Sequence, residues 1–350
     1  MKNITLDDSG SFYNHLSEGC RLCQMGAKMV MFVTGICGRN CYYCPLSKER
    51  KEDTVYANET LVYSDSDVIN EVKQMNALGT GITGGEPLYK LERTLHYISL
   101  LKSEFGKKHH IHLYTSINAD KDTLIKLKNA GLDEIRFHPP QEIWKNIENS
   151  PFSNSIKTAI ETGLTAGIEI PAIDNAEYVA EFIQKTEGFL NLNELEFTDS
   201  NSNELKKHYY NLRDDTSNAA SKSREIAKIL TDNYKDTKIH FCSSSYKDAV
   251  QFKKRLIRTA EKTSRPFDDI TDDGTIVYGV IEPGDFENTI KMLKELYVPE
   301  NMFQIVDIKI DIAWWILEDI ADDLKNIGCS TSIIERYPLK NGLVVETLPI

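Results

Sequence analysis

The chain has 350 residues, of which 41% are apolar and 27% charged, and a formal net charge of −12. That length supports one large α/β domain with a small appendage, and the composition is that of a folded globular chain. The acidic balance argues against a broad phosphate-binding surface, which needs a local excess of Lys and Arg, so nucleic acid is a disfavoured partner.

The first residues, MKNITLDDSGSFYNHLSEG, hold acids and no apolar core, and do not read as a secretory signal. The longest apolar runs, such as MVMFV and IAWWIL, are too short to span a bilayer. A cytoplasmic protein without a membrane partner is expected. Of the seven cysteines, five lie between positions 20 and 44, a clustering that suits metal chemistry in a reducing compartment better than a disulfide framework.

Residues 1–27 read as an N-terminal extension carrying a CxxC at Cys20 and Cys23. From 28 to about 200, short β-branched runs alternate with amphipathic segments. KMVMFVT, TGITG, HIHLYTS, DEIRFHP, TAGIEIP and ELEFTDS read as strands; SDVINEVKQMNALG, LERTLHYISLLKSEFG, DKDTLIKLKNAG and AEYVAEFIQKTEGF read as helices. Repeated strand–helix units imply a parallel sheet with right-handed crossovers. Six units are too few to close an eightfold barrel, so the expected fold is α/β: a partial (β/α)6 TIM-like barrel over 28–262, including a charged helical extension that holds Cys242. Around SRPFDDITDDG the pattern changes, and 263–350 reads as a small α+β domain in βαβαββ order.

Alternation along the strands says more. Ile111 and Leu113 oppose His110, His112, Tyr114 and Ser116; Ile135 and Phe137 oppose Arg136 and His138; Ile168 and Ile170 oppose Glu169; Leu195 and Phe197 oppose Glu196 and Thr198. With helices covering the apolar set, the polar set faces the barrel interior. A closed barrel normally packs that interior with Val, Ile and Leu. A polar lumen lined by Arg136, His138, Glu169 and Thr198 is expected, with the planar fork of Arg136 suited to an anionic group.

Cys37, Cys41 and Cys44, in CGRNCYYC, form C-x3-C-x2-C after the first strand. Three thiolates on one tight loop can hold three irons of a cubane [4Fe–4S] cluster and leave the fourth iron open to a ligand; zinc would want a fourth residue close by. Taken alone, the triplet also fits a structural or purely redox role. GGEP follows the next strand, at Gly84, Gly85, Glu86 and Pro87. The glycines allow close backbone approach to a ligand, and Glu86 is an acceptor suited to an ammonium group.

These two elements together resemble the radical S-adenosylmethionine (SAM) superfamily, and the barrel pattern is similar to relatives of pyruvate formate-lyase activating enzyme. The resemblance implies that Cys37, Cys41 and Cys44 bind the cluster and that its open iron chelates the methionine moiety of SAM. It places Tyr43 beside the adenine, and Gly84, Gly85 and Glu86 at the methionine amino group. Ser116 and Asn118, just past the third strand, are further candidates for touching the cofactor. Reduction of SAM to a 5′-deoxyadenosyl radical, fed by a low-potential donor such as ferredoxin or flavodoxin under anaerobic conditions, is the implied chemistry.

The polar lumen favours a small polar substrate. The alternatives are an activase that abstracts hydrogen from a glycine of a partner protein, a tRNA-modifying radical enzyme, and a non-catalytic electron carrier or redox sensor; the last leaves GGEP unexplained. Cys20 and Cys23, with Cys242 two residues after His240, suggest a second metal site holding either zinc or an auxiliary iron–sulfur cluster. The plainer reading is an isolated CxxC and an unrelated buried cysteine. Cys329 reads as a small core or cap residue. Trp314 and Trp315 cannot share one helix face, so they are expected to point apart.

Overall fold

A computed structural model describes residues 4–6, 9–339 and 342–350. The chain divides into two compact units, Met1–Lys73 with Ala77–Phe252, and Gln74–Asn76 with Lys253–Ile350.

The first unit is built on seven parallel strands: β1 (Lys28–Phe32), β2 (Gly79–Thr83), β3 (His110–Thr115), β4 (Glu134–Phe137), β5 (Thr165–Pro171), β6 (Phe189–Asn193) and β7 (Lys238–Cys242). They lie side by side in sequence order. The two ends do not meet: short antiparallel strands, Tyr56–Ala57 on β1 and Phe12–Tyr13 on β7, extend them instead. This is the partial barrel, with one parallel strand more than the six expected. Two assignments change. The sixth strand is Phe189–Asn193, not ELEFTDS, in which Glu196 makes only an isolated bridge to Ala219. KIHFC, within the stretch expected to be a charged helical extension, supplies β7. Both runs alternate, Leu190 and Leu192 opposing Asn191 and Asn193, and Ile239 and Phe241 opposing His240 and Cys242, but each is only five residues long, too short for the alternation to stand out beside the helical segments around it.

The apolar sets of the strands form the core: Ile111, Leu113, Ile135, Ile168 and Ile170 are fully buried. Helices at Leu91–Phe105, Lys121–Ala130, Pro151–Glu161 and Ala176–Gln184 connect successive strands. Local chemistry sets their ends, as where Asp120 caps one N-terminus by accepting from the Thr123 amide at 2.8 Å and Gly131 ends the helix at φ +113°.

The register puts the polar set on one face, running from His112 through Glu134, with Arg136, Glu169 and Asn191, to His240. A helix from the N-terminal extension, α1 (Glu18–Gln24), packs against β1, β2 and β3 on that face. Gly19 makes the approach feasible: a Cβ there would stand 2.4 Å from the Arg136 guanidinium and 2.6 Å from His112 Nδ1. Arg136 is 2% exposed and is held between Glu134 (Nε to Oε1, 2.6 Å) and Glu169 (NH1 to Oε2, 2.7 Å). It also donates to Tyr114, to Ser17 and, at 3.5 Å, to Cys20 Sγ.

The second unit is an antiparallel sheet in the order β9-β10-β8-β11-β12, where β8 is Ile276–Glu282, β9 Phe303–Val306, β10 Lys309–Ile312, β11 Ser330–Arg336 and β12 Val344–Pro349. The run MFQIVDIKI, where the expected βαβαββ order allows a single strand, is a hairpin reversed at Asp307, which adopts φ +54°; aspartate tolerates that left-handed conformation better than most residues. Helices Phe286–Glu295 and Trp314–Asn326 contribute Leu293, Leu317 and Leu324 to a core with Ile281, Ile310 and Ile312. Cys329 is buried there with its sulfur 3.2 Å from Thr289 Oγ1. Trp314 donates to Asp269, while Trp315 is 39% exposed. No helix among the described residues is long and apolar enough to cross a membrane.

Replacing Arg136 by Met should leave Glu134 and Glu169 as uncompensated buried charges and destabilise the first unit by about 3–5 kcal/mol; urea titration of the anaerobically purified variant measures this. A pH dependence follows as well. Burial pushes His109 and His240 down to about 4, against about 6.5 when unfolded. The unfolded chain therefore binds the extra protons first, and stability is full above pH 6.5 and is lost as pH falls toward 4, by up to about 3 kcal/mol per residue. The melting temperature should fall steadily across that window, and more shallowly in His240→Gln.

Candidate active site

The strands end on one rim, and the loops after β1 to β4 carry the expected site residues. The loop after β1 holds Cys37, Cys41 and Cys44; Cys37 is exposed and the other two are half-buried. A turn closes on the last pair, with the Cys44 amide donating to the Cys41 carbonyl at 3.0 Å, and the Arg39 amide points at Cys37 Sγ at 3.4 Å. Partial burial raises the Cys41 thiol above its ordinary value.

That loop is strapped at its start, middle and end. At its start the glycine motif packs against it: Gly85 N donates to Thr34 O at 2.7 Å and Glu86 N to Ile36 O at 2.8 Å. A Cβ at Gly84 or Gly85 would come within 2.4 Å of the Thr34 or Gly35 carbonyl, so glycine is required at both. Thr34 in turn donates to Asp53, which is paired with Arg93 at 2.6 Å and Lys90 at 2.8 Å; these partners, Arg93 foremost, hold the Asp53 carboxyl well below the usual range. In the middle, Arg39 donates to the Ser116 carbonyl at 3.0 Å. At the end, Asn201, 2% exposed, donates to the Tyr43 carbonyl at 3.1 Å, and Ser200 donates to the Cys44 carbonyl at 3.3 Å. His208 stacks on Tyr42 with ring centroids 3.8 Å apart.

Tyr43 is buried, and its hydroxyl lies 3.0 Å from His138 Nε2. His138 Nδ1 faces the Glu169 carbonyl at 2.8 Å, which can only accept, so Nδ1 carries the proton. Burial depresses the His138 pKa and keeps the ring neutral, leaving Nε2 to accept from Tyr43.

Glu86 is fully buried, and both carboxylate oxygens are engaged. Oε1 accepts from the Leu88 amide and Thr115 Oγ1, each at 2.9 Å; Oε2 accepts from the Ser116 amide at 2.5 Å and Ser116 Oγ at 2.6 Å. The carboxylate is therefore a clasp between the loops after β2 and β3. Ser116 is part of that clasp; Asn118 lies exposed on the rim.

Two lumen expectations are corrected. Arg136 was the candidate for an anionic ligand, but all its donor nitrogens have protein partners, so nothing remains for such a ligand. Thr198 was placed on a strand facing the lumen, but it sits in the loop beyond β6, 2.9 Å from Ser200 Oγ. Glu169 does face the lumen, held by Arg136, Asn191 and Asn193.

Cys20 and Cys242 lie on the same inner face, and Asn191 Nδ2 is 3.4 Å from Cys20 Sγ. Burial raises the Cys20 thiol to about 12 and also raises Cys23 and Cys242. Among the described residues no three His, Cys, Asp or Glu side chains gather around a single metal ion. Cys20, Cys23 and Cys242 are nonetheless close enough to influence one another's charge, each thiolate raising the cost of ionising its neighbour. A mononuclear centre needs three or four sulfur or nitrogen atoms about one point. A cubane does not, because each thiolate binds a different iron, and the C-x3-C-x2-C loop, with three thiols on one rim loop, fits it.

Residues 31–162 match the family model of the radical SAM superfamily, and residues 274–350 match a domain of unknown function (DUF8061). Over 352 residues the chain is 39% identical to a protein of Methanocaldococcus jannaschii named "Putative glycyl-radical enzyme activating enzyme", an alignment covering 97% of this chain and 94% of that one. The chain belongs to the radical SAM superfamily. It is an enzyme whose cofactors are a [4Fe–4S] cluster and SAM. Among solved structures, methylornithine synthase, a crystal structure, aligns with a TM-score of 0.42 at 14% identity, covering 64% of this chain and 71% of that one.

As a radical SAM enzyme, the protein owes its cluster-loop geometry to residues no motif marks. Arg93, Asn201, Ser200 and His208 sit far from the cysteines in sequence, and only their long-range contacts assign them a role. Glu86→Gln tests the clasp. An amide cannot accept four donors, and its NH2 would oppose one of them, so a loss of about 2–5 kcal/mol is expected from the unpaired groups. The melting temperature should fall in the cofactor-free protein too, where a residue that only binds SAM would leave it unchanged.

Proposed function

We propose that this enzyme is a glycyl-radical enzyme activating enzyme, removing a hydrogen atom from a glycine of a partner protein. One observation carries the reading: the charged groups of the lumen are spent on one another and on α1. A charged metabolite would need a free opposite charge there, and Arg136, Glu134 and Glu169 offer none. The remaining unpaired polar atoms, His112 Nδ1 and both ring nitrogens of His240, belong to imidazoles that burial keeps neutral. A substrate then meets the enzyme at the rim, where a loop of a macromolecule can reach. The name of the M. jannaschii relative supports the same reading.

Cys37, Cys41 and Cys44 would hold the cluster, and the backbone about Gly84–Glu86 and Ser116 would meet the methionine end of SAM. When bound, cluster and SAM supply a one-electron cleavage that yields a 5′-deoxyadenosyl radical. The chain's own residues position that chemistry. Asn201, Ser200 and Arg39 fix the loop; neutral His138 holds the Tyr43 hydroxyl; α1 closes the lumen and keeps water from the inner face.

The test uses anaerobically reconstituted enzyme, SAM, a reductant and a dialysed extract of the native host grown on α-deuterated glycine. Deuterium should appear in 5′-deoxyadenosine, and Cys41→Ala should abolish it by removing a cluster thiolate. Transfer supported by the dialysable fraction and not by the protein fraction would return the reading to a small metabolite.

A further inference from the structure

We propose that the cavity walled by the loop after β6 seats an extended, uncharged peptide segment of the partner protein, an assignment that rests on the activating-enzyme reading above. The cavity has a volume of about 620 Å³, within the range of roughly 300–1,000 Å³ usual for ligand sites. Its wall is the loop after β6, whose Ser200 and Asn201 grip the carbonyls of Cys44 and Tyr43. A ligand there is one loop away from the cluster cysteines.

The walls are preformed by paired backbone. Phe197 N donates to Asn218 O and Ala220 N to Leu195 O, each at 2.7 Å; Arg213 N donates to Ala219 O and Ser221 N to Asn211 O, each at 2.8 Å. Antiparallel bridges join Glu196 to Ala219 and Leu212 to Ala220. A ligand entering such a site has little backbone left to order, which lowers the entropic cost of binding.

The lining chemistry selects the occupant. The side-chain amides of Asn211 and Asn218 line the cavity, are exposed, and take no hydrogen bond within the described protein. Each presents both a donor and an acceptor, the same pair that a peptide unit offers. Phe197 and Leu212, the latter 53% exposed, add apolar surface for a side chain. Asp199 and Lys206 contribute one charge of each sign, so the cavity concentrates neither. A charged metabolite would find no focused field there and would leave the apolar surface wet. A neutral segment of main chain satisfies both amides and covers Leu212.

Affinity selection on immobilised, cofactor-loaded enzyme tests this. The probe is a library of acetylated, amidated nonapeptides with glycine at the centre and uncharged residues on both sides, compared with a library flanked by Asp and Lys. Wild-type enzyme should enrich the uncharged library and not the charged one. Leu212→Arg, at an exposed position where folding is spared, should lower that enrichment about tenfold by placing a charge against the peptide. Asn218→Ala should lower it less by removing one amide, and circular dichroism and cluster absorbance report that each variant is folded. Enrichment of the uncharged library lost in both variants supports the groove. Retention within about twofold in both, or no enrichment by wild type, overturns it, and deuterium transfer from protein glycine would then show that the activating-enzyme reading stands while the partner docks elsewhere.

Discussion

The first unit is organised around a buried guanidinium. Arg136 stands at 2% exposure between two carboxylates, and a charge so placed is tolerated only when every donor is met. That requirement fixes the rest of the lumen. Glu134 must share the face of Arg136 on its own strand and Glu169 must lie on the next one, Tyr114 must turn its hydroxyl inward, and α1 must bring Ser17 and Cys20 within reach. Gly19 is the consequence, since any side chain there would strike the ion pair. An interior of this kind is a rigid polar plug, unlike the branched aliphatic layers that fill closed barrels.

The plug and the rim are coupled through one strand. Glu169 holds Arg136 by its side chain and His138 by its carbonyl, and His138 holds Tyr43 next to the third cysteine. The same loop is strapped from outside by Arg39, Asn201, Ser200 and the Gly84–Gly85 backbone. A cluster loop of eleven residues between Thr34 and Cys44 has few hydrogen bonds of its own, so its shape comes from partners spread along the chain. Holding cluster ligands in advance of binding is what lets a protein direct reactive cofactor chemistry without reshaping during the reaction.

Much of this was legible in the sequence. The cysteine spacing and GGEP identified the superfamily because they act locally: one loop, one turn, a few adjacent backbone groups. Period-two alternation in HIHLYTS, DEIRFHP and GIEIP placed His112, Arg136 and Glu169 on one face, because side chains on a strand must alternate. The alternation argument failed at ELEFTDS, where residues that look like a strand make only a single bridge, and KIHFC became a strand because β6 offered it an edge.

What the sequence determined by itself was the set of local geometries, and with them the cofactors. What only the tertiary structure decided was how side chains are satisfied. A sequence shows that Arg136 and Glu86 are charged, but most of their partners come from other strands, loops and the start of α1, so whether a charge is free for a ligand or consumed within the fold is largely a property of long-range contacts. Arg136 and Glu86 both spend their charge on protein groups for that reason. Asn201, 157 residues beyond Cys44, acquired a role for the same one. Covalent neighbours set the backbone; desolvation, which acts only once distant strands meet, sets which polar groups remain to do chemistry.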